Sequence, residues 1–154
     1  MDNALLKEIY QKYKKEIYIY IFSICKNKPL TEDLVQETFL KALLSLPDSS
    51  GNLRAWLYKV ARNLTFNELK KQKRLKPLEE NENPYEDFSL SDERLMLLKA
   101  LSKLKPEKRE ILLFQYVGGL GQKEIAKILN ISPENVRVLS FRAKKELKTY
   151  LEGK

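Results

Sequence analysis

Residues 122–145 read QKEIAKILNISPENVRVLSFRAKK, and their spacing predicts two helices joined by a tight turn. Ala126 is small where the helices would cross. Ile125, Leu129, Ile131, Val136 and Leu139 are apolar where such a unit needs its own core. Asn130 falls in the turn, where a left-handed backbone is required and Gly or Asn accepts it best. Ser132 is placed to cap the second helix, with Pro133 at its first position. The second helix is basic. This is the order of a helix-turn-helix, and it makes DNA the first partner to consider.

Charge along the chain supports that reading. Residues 1–78 hold 15 Lys/Arg and 8 Asp/Glu, residues 79–93 hold 7 acids and no base, and residues 94–154 hold 14 bases and 6 acids. Two basic blocks thus flank an acidic strip, a distribution suited to a polyanion. Solvated faces of a Lys-rich protein would account for composition alone equally well.

The same composition excludes much chemistry. There is no His and one Cys, Cys25, so a tetrahedral metal site and the usual His-centred acid–base or nucleophilic arrangements are out of reach. No Gly-rich loop cradles a phosphate. No cofactor, small-molecule substrate or enzymatic activity is expected. Cys25 reads as a small buried hydrophobe. One cysteine forms no intrachain disulfide, and the N-terminus MDNALLKEIYQKYKK lacks an apolar signal core. A cytoplasmic protein is expected. The longest apolar stretch, Ile17 to Cys25, is too short to cross a bilayer, so no membrane insertion is expected.

N-terminal to the helix-turn-helix, nearly every segment shows helical period and none alternates as a strand. The fold class is therefore all-α. A first helix is expected over about 3–26, with Leu5, Leu6, Ile9, Tyr13, Ile17, Tyr20, Ile21 and Ile24 inward and Pro29 ending the segment. Thr31 is expected to cap a second helix over about 32–46. Val35, Phe39, Ala42 and Leu46 form its buried face. Asp33, Gln36, Glu37, Leu40 and Leu44 form another face, which mixes acids and an amide with leucines in the manner of a protein-binding surface. Periodicity alone also allows Leu40 and Leu44 to widen the core stripe.

After a turn-rich loop at 47–52, a third helix is expected over 53–74. Leu53, Trp56, Leu57, Val60, Ala61 and Leu64 face inward. Arg54, Lys59, Arg62, Asn63, Phe66, Asn67 and Lys70 lie largely outside. Amides can bond base edges and an aromatic can stack on a base. The closing KKQKR at 70–74 also suits a helix C-terminus without DNA. Residues 75–92 lack a strong period, and helices resume at about 93–104 and 106–117. Two small helical domains follow, 1–76 and 94–154, joined by a flexible acidic linker at 77–93.

Three stretches occur in one order: TEDLVQETFLKA at 31–42, RAWLYKVARNL at 54–64, and L-x-x-L-x-P-x-x-R-E-I-L at 101–112 leading into the helix-turn-helix. Together they resemble the bacterial RNA polymerase sigma factors of the extracytoplasmic-function group, over nearly the whole chain. The resemblance implies a region 2 domain and a region 4 domain, with core RNA polymerase and promoter DNA as partners. It also implies an anti-sigma factor, since many members of the group are held inactive by one.

Carried onto this sequence, core docking falls on Asp33, Gln36, Glu37 and Leu40. Recognition and melting of the minus-10 element fall on Ser49, Asn52, Lys59, Arg62, Asn63 and Asn67, with Asn63 matching an Asn that helps hold a flipped base. Duplex reading of the minus-35 element falls on Ser132, Glu134, Asn135, Arg137, Val138, Phe141, Arg142, Lys144 and Lys145. The acidic linker would thread the polymerase RNA channel, mimicking RNA phosphates or serving as a tether. Two positions depart from the family pattern. Ser140 replaces a Leu or Ile, whose apolar role is expected to pass to Leu139 with a changed rotation of the recognition helix. Gly121 replaces a capping Ser.

A DNA-binding regulator acting without polymerase is the alternative that the helix-turn-helix alone permits. It leaves the Asp33–Gln36–Glu37 face and residues 54–64 without a role. A helical scaffold with incidental charge is a further alternative, and it predicts no salt-dependent DNA binding.

Overall fold

The computed structural model describes residues 3–45, 52–72, 84–85 and 88–152. The chain forms two compact units, Met1–Pro84 and Tyr85–Lys154. No strand occurs among the described residues.

The first unit is built from α1 (Asn3–Cys25), α2 (Lys28–Leu44) and α3 (Leu53–Lys71), each packed on the other two. Ile17, Tyr20 and Ile21 of α1, Ala42 of α2, and Leu57, Tyr58 and Ala61 of α3 have no solvent exposure. Each large apolar side chain so placed contributes about 1.5–3 kcal/mol. Edge-to-face aromatic pairs tie the helices together: Tyr20 on Tyr58 at 5.5 Å and Tyr10 on Phe39 at 5.0 Å between ring centroids. Trp56 donates its indole N–H to the Ala42 carbonyl at 3.0 Å.

The α1–α2 junction differs from expectation. Asn27, not Thr31, caps α2, its Oδ1 accepting from the Leu30 amide at 2.9 Å. Pro29 sits in the first turn of α2 instead of closing α1, because its missing N–H is one the helix start leaves unbonded anyway. Lys26, at φ 54°, makes the left-handed turn out of α1. Thr31 is buried inside α2, donating its hydroxyl to the Asn27 carbonyl at 2.7 Å and lying 3.2 Å from the Cys25 thiol. Cys25 is free and buried, and that burial pushes its thiol pKa up. Leu5, expected inward, is 48% exposed. Leu46, the remainder of the 47–52 loop before Asn52, and the end of the KKQKR run fall outside the described residues.

The second unit contains α4 (Asp92–Leu101), α5 (Pro106–Leu112), a π-helical turn (Leu113–Val117), α6 (Gln122–Leu129) and α7 (Pro133–Leu151). The expected helix over 93–104 stops at Leu101, where Arg109 intervenes. This buried guanidinium donates to the carbonyls of Leu101 (3.2 Å), Ser102 (3.1 Å) and Leu104 (2.7 Å) at and just beyond the end of α4, and the Leu101 carbonyl also accepts the Leu104 amide at 3.0 Å. Burial lowers the Arg109 pKa from its usual value. The expected helix over 106–117 widens at Leu113, where the Gly118 amide reaches back to the Leu113 carbonyl at 3.0 Å. Within the stretch read as linker, the Pro84 carbonyl accepts from Tyr18 Oη at 3.0 Å in the first unit, and Tyr85 is buried in the second.

The helix-turn-helix forms with the local geometry its residues dictate. Asn130 ends α6 in the left-handed conformation (φ 56°, ψ 47°). Ser132 caps α7, its Oγ accepting from the Asn135 amide at 3.1 Å, with Pro133 at the first position. Ile125 and Val136 are fully buried and Ala126, next to Ile125 in sequence, is buried as well. The expectation for Leu139 fails. Leu139 is half-buried, while Ser140 keeps the inner position at 4% exposure. It is accommodated because its hydroxyl donates to Gln115 Oε1 at 2.7 Å, which removes the cost of burying an unbonded polar group.

Candidate nucleic-acid interface

Three surfaces carry the residues singled out from the sequence. On α2, Asp33, Gln36, Glu37, Leu40 and Leu44 share one exposed face, as spacings of three and four residues require. Leu40 is 57% and Leu44 81% exposed, so neither belongs to the core stripe. A shallow, mainly apolar groove borders this face, lined by Gln36, Phe39 and Leu40 with Leu6, Lys7 and Tyr10 of α1. The α1 contribution was missed from the sequence, because helical period within α2 carries no information about which neighbour lies alongside.

On α3, Lys59, Asn63 and Asn67 are exposed, again at one-turn spacing. Arg62 is half-buried, its guanidinium 4.9 Å from the centre of the Phe66 ring. Lys59 lies similarly over Trp56, at 5.8 Å. Such cation–π contacts orient cations over aromatic faces. Asn52, read as a DNA contact, caps α3 through its Oδ1, which accepts from the Ala55 amide at 3.2 Å. Ser49 lies outside the described residues.

The base of α3 is anchored to α1 by a polar cluster. Glu16 accepts from Tyr58 Oη at 3.0 Å and from Arg54 Nε at 3.2 Å. Burial raises the Glu16 pKa above 4.5 although both donors pull the other way. Burial, reinforced by the Glu16 charge, raises that of Tyr58.

On α7, Arg137, Val138, Phe141, Arg142 and Lys145 line a second shallow groove. Phe141 is 69% and Val138 38% exposed, and cations surround them. Glu134 and Arg137 form a solvent-exposed pair at 3.5 Å, which contributes little and is easily exchanged for another partner. Lys144 lies 5.5 Å from the Tyr116 ring centre, beside this face. Glu134 and Asn135 are exposed at the helix start, with Ser132 occupied as the cap. The exposed outer face of α7 therefore combines donors, acceptors and apolar groups of the kinds that read base edges.

Among the described residues, no group of three or more His, Cys, Asp or Glu could hold a metal ion. None of the described helices is long and apolar enough to cross a membrane.

Comparison with known proteins agrees with this architecture. Residues 9–75 match the family model for sigma-70 region 2, and residues 94–147 match that for sigma-70 region 4. The chain is 30% identical to the ECF RNA polymerase sigma factor SigM of Bacillus subtilis, over 93% of each chain. It is 29% identical to the RNA polymerase sigma factor YlaC of the same organism, over 93% of this chain and 90% of YlaC. The fold matches the sigma factor RpoE of Bartonella quintana, solved in complex with the anti-sigma factor NepR. The TM-score is 0.75 at 20% identity, covering 96% of this chain and 98% of that one. It also matches CnrH, solved in complex with the cytosolic domain of CnrY, with a TM-score of 0.70 at 22% identity over 98% and 90% of the two chains. With both sigma regions present in order and a relative at this level along almost its whole length, the chain belongs to the extracytoplasmic-function (ECF) group of RNA polymerase sigma factors.

Proposed function

We propose that the protein works as a cytoplasmic promoter-specificity subunit: it binds core RNA polymerase, carries it to a class of promoters, and does no chemistry itself. In this reading Asp33, Gln36, Glu37 and Leu40 dock on core. Asn52, Lys59, Arg62, Asn63 and Asn67, with Ser49 of the preceding loop, engage the minus-10 element. The α7 residues Glu134, Asn135, Arg137, Val138, Phe141, Arg142, Lys144 and Lys145, with the capping Ser132, engage the minus-35 element in duplex form. Residues 1–76 and 94–154 act as the two binding domains and 77–93 as the acidic connection between them. An anti-sigma factor is the expected inhibitor; RpoE of Bartonella quintana was solved in complex with one.

The observation that carries this reading is the α2 face, where two leucines stand in solvent beside acids and an amide. Exposed apolar side chains rimmed by polar groups mark protein-binding surfaces. A regulator acting without polymerase would leave this face unused.

Minus-10 engagement is best pictured as capture of unstacked bases. Extruding a base costs a few kcal/mol and must be offset by contacts to it, which exposed amides and a half-buried Phe66 can supply. Transcription in vitro, with purified core polymerase and a library of promoter fragments, tests the whole proposal. Initiation from a defined subset of fragments is expected. Failure to associate with core, or association without initiation from any fragment, would refute it.

A further inference from the structure

Two successive residues of the π-helical turn grip α7. Gln115 accepts the Ser140 hydroxyl at 2.7 Å, and Tyr116 offers its ring face to Lys144 at 5.5 Å. Ser140 and Lys144 are one helical turn apart and so stack along the same side of α7. Ser140 also lies within the inner stripe Val136, Ser140, Ala143 and Leu147, all buried. Val136, Ala143 and Leu147 hold α7 by apolar contact, which has no preferred direction. The Ser140 bond is directional, since a hydrogen bond weakens steeply away from linearity. A π-turn is a local widening of the helix, of the kind that recurs at functional sites. Here it sets Gln115 opposite the one polar member of the stripe.

Small rotations of α7 matter. A helix with its side chains has a radius of about 5–6 Å. Turning it by about 10° moves that surface by about 1 Å, against a spread of about 0.5 Å in good hydrogen-bond lengths. Arg137, Val138, Phe141, Arg142 and Lys145 move with it. We propose that Gln115 and Ser140 form a positioning pair that sets the rotation of α7 about its axis and thereby its selectivity among minus-35 sequences. The proposal rests on the reading of α7 as the minus-35 reader.

The test uses holoenzyme, full-length chain with core polymerase, on duplex promoters randomised across the upstream element. Ser140→Ala, Gln115→Ala and the double variant are compared for the ratio of binding to the preferred element over single-base changes. Each single variant is expected to lower that ratio about fivefold, the worth of one hydrogen bond, and the double variant to lower it no further. The salt slope, which counts phosphate contacts, should stay unchanged. Gln115 is only half-buried, so its truncation keeps the test open should Ser140→Ala fold poorly. Unchanged selectivity in folded variants, or losses that add in the double variant, would overturn the proposal. Absence of any upstream preference in the unmodified holoenzyme would instead refute the minus-35 reading itself, before any variant is made.

Discussion

Replacing Arg109 by Met should unfold the second unit at a much lower denaturant concentration. Met keeps the apolar stem of the side chain but removes the donors to the Leu101, Ser102 and Leu104 carbonyls. A hydrogen bond from a charged donor contributes about 1.5–3 kcal/mol, so three at the lower bound come to about 4.5 kcal/mol. Burying the guanidinium opposes this, as its lowered pKa records. A net loss of about 3 kcal/mol is expected, in the range for breaking a buried polar network. A unit spanning Tyr85–Lys154 has about 3.5–10 kcal/mol in total at about 0.05–0.15 kcal/mol per residue, so this loss is about three-tenths of it or more.

The assay is urea denaturation followed by far-ultraviolet circular dichroism, with hydrogen exchange read over residues 92–112. Trp56 is the chain's one tryptophan and belongs to the first unit, so its fluorescence transition serves as the internal control. Arg109→Lys should recover only part of the loss, because an ammonium cannot span three carbonyls as a planar fork does. A loss below about 1 kcal/mol for Met, within the range of one ordinary neutral hydrogen bond, would refute the reasoning.

Four further outcomes are expected. Gly121→Ser should stabilise the second unit by about 0.5 kcal/mol, raising its melting temperature by about 2–4 °C. Gly121 has φ −83° and a Cβ there meets nothing within 4 Å, so the hydroxyl would complete a capping box with Glu124; an unchanged or lower melting temperature would contradict this. Glu16→Gln should leave stability at pH 7 unchanged or higher. The Glu16 pKa is raised in the fold, so its contribution is fully present below the unfolded value and lost as pH rises through the folded one. The difference between the two proteins should therefore close as pH falls below the ordinary carboxylate range; a Gln variant less stable at pH 7 by about 1 kcal/mol, one hydrogen bond's worth, would show that the bonds from Tyr58 and Arg54 outweigh desolvation. Gln36→Ala with Glu37→Ala should weaken core binding by about 1 kcal/mol per truncated contact while circular dichroism stays native; equal affinity would sink the docking assignment. Asn63→Ala should impair promoter opening more than closed-complex formation, and a pre-melted template should rescue it; no rescue would exclude base capture.

Much of the architecture was legible because it rests on interactions within a few residues. The helix-turn-helix is the clearest case: Asn130, Ser132 and Pro133 act on their own backbone and its nearest turn, so residue type and spacing suffice. That Asp33, Gln36, Glu37 and Leu40 share a side of α2 was legible for the same reason, whereas the exposure of Leu40 was not, since period alone also allows it in the core stripe. Boundaries failed where one local signal competed with another. Asn27 and Thr31 are both good caps, and only the structure shows Asn27 accepting the Leu30 amide while Thr31 turns inward. Leu139 was misjudged because period assigns apolar residues to the core and polar ones outside, a rule that fails when a buried hydroxyl finds a partner.

By itself, then, the sequence determined an all-helical chain, its basic and acidic blocks, and the helix-turn-helix with its caps. Tertiary structure alone decided that Arg109 is buried as a fork over the end of α4, that α1 completes a groove beside the α2 face, and that Gln115 meets Ser140 across 25 residues of chain. The division has one physical cause. Backbone capping and helical period act within a turn or two, whereas a buried polar group is stable only beside a partner, and that partner is brought by packing between elements distant in the chain.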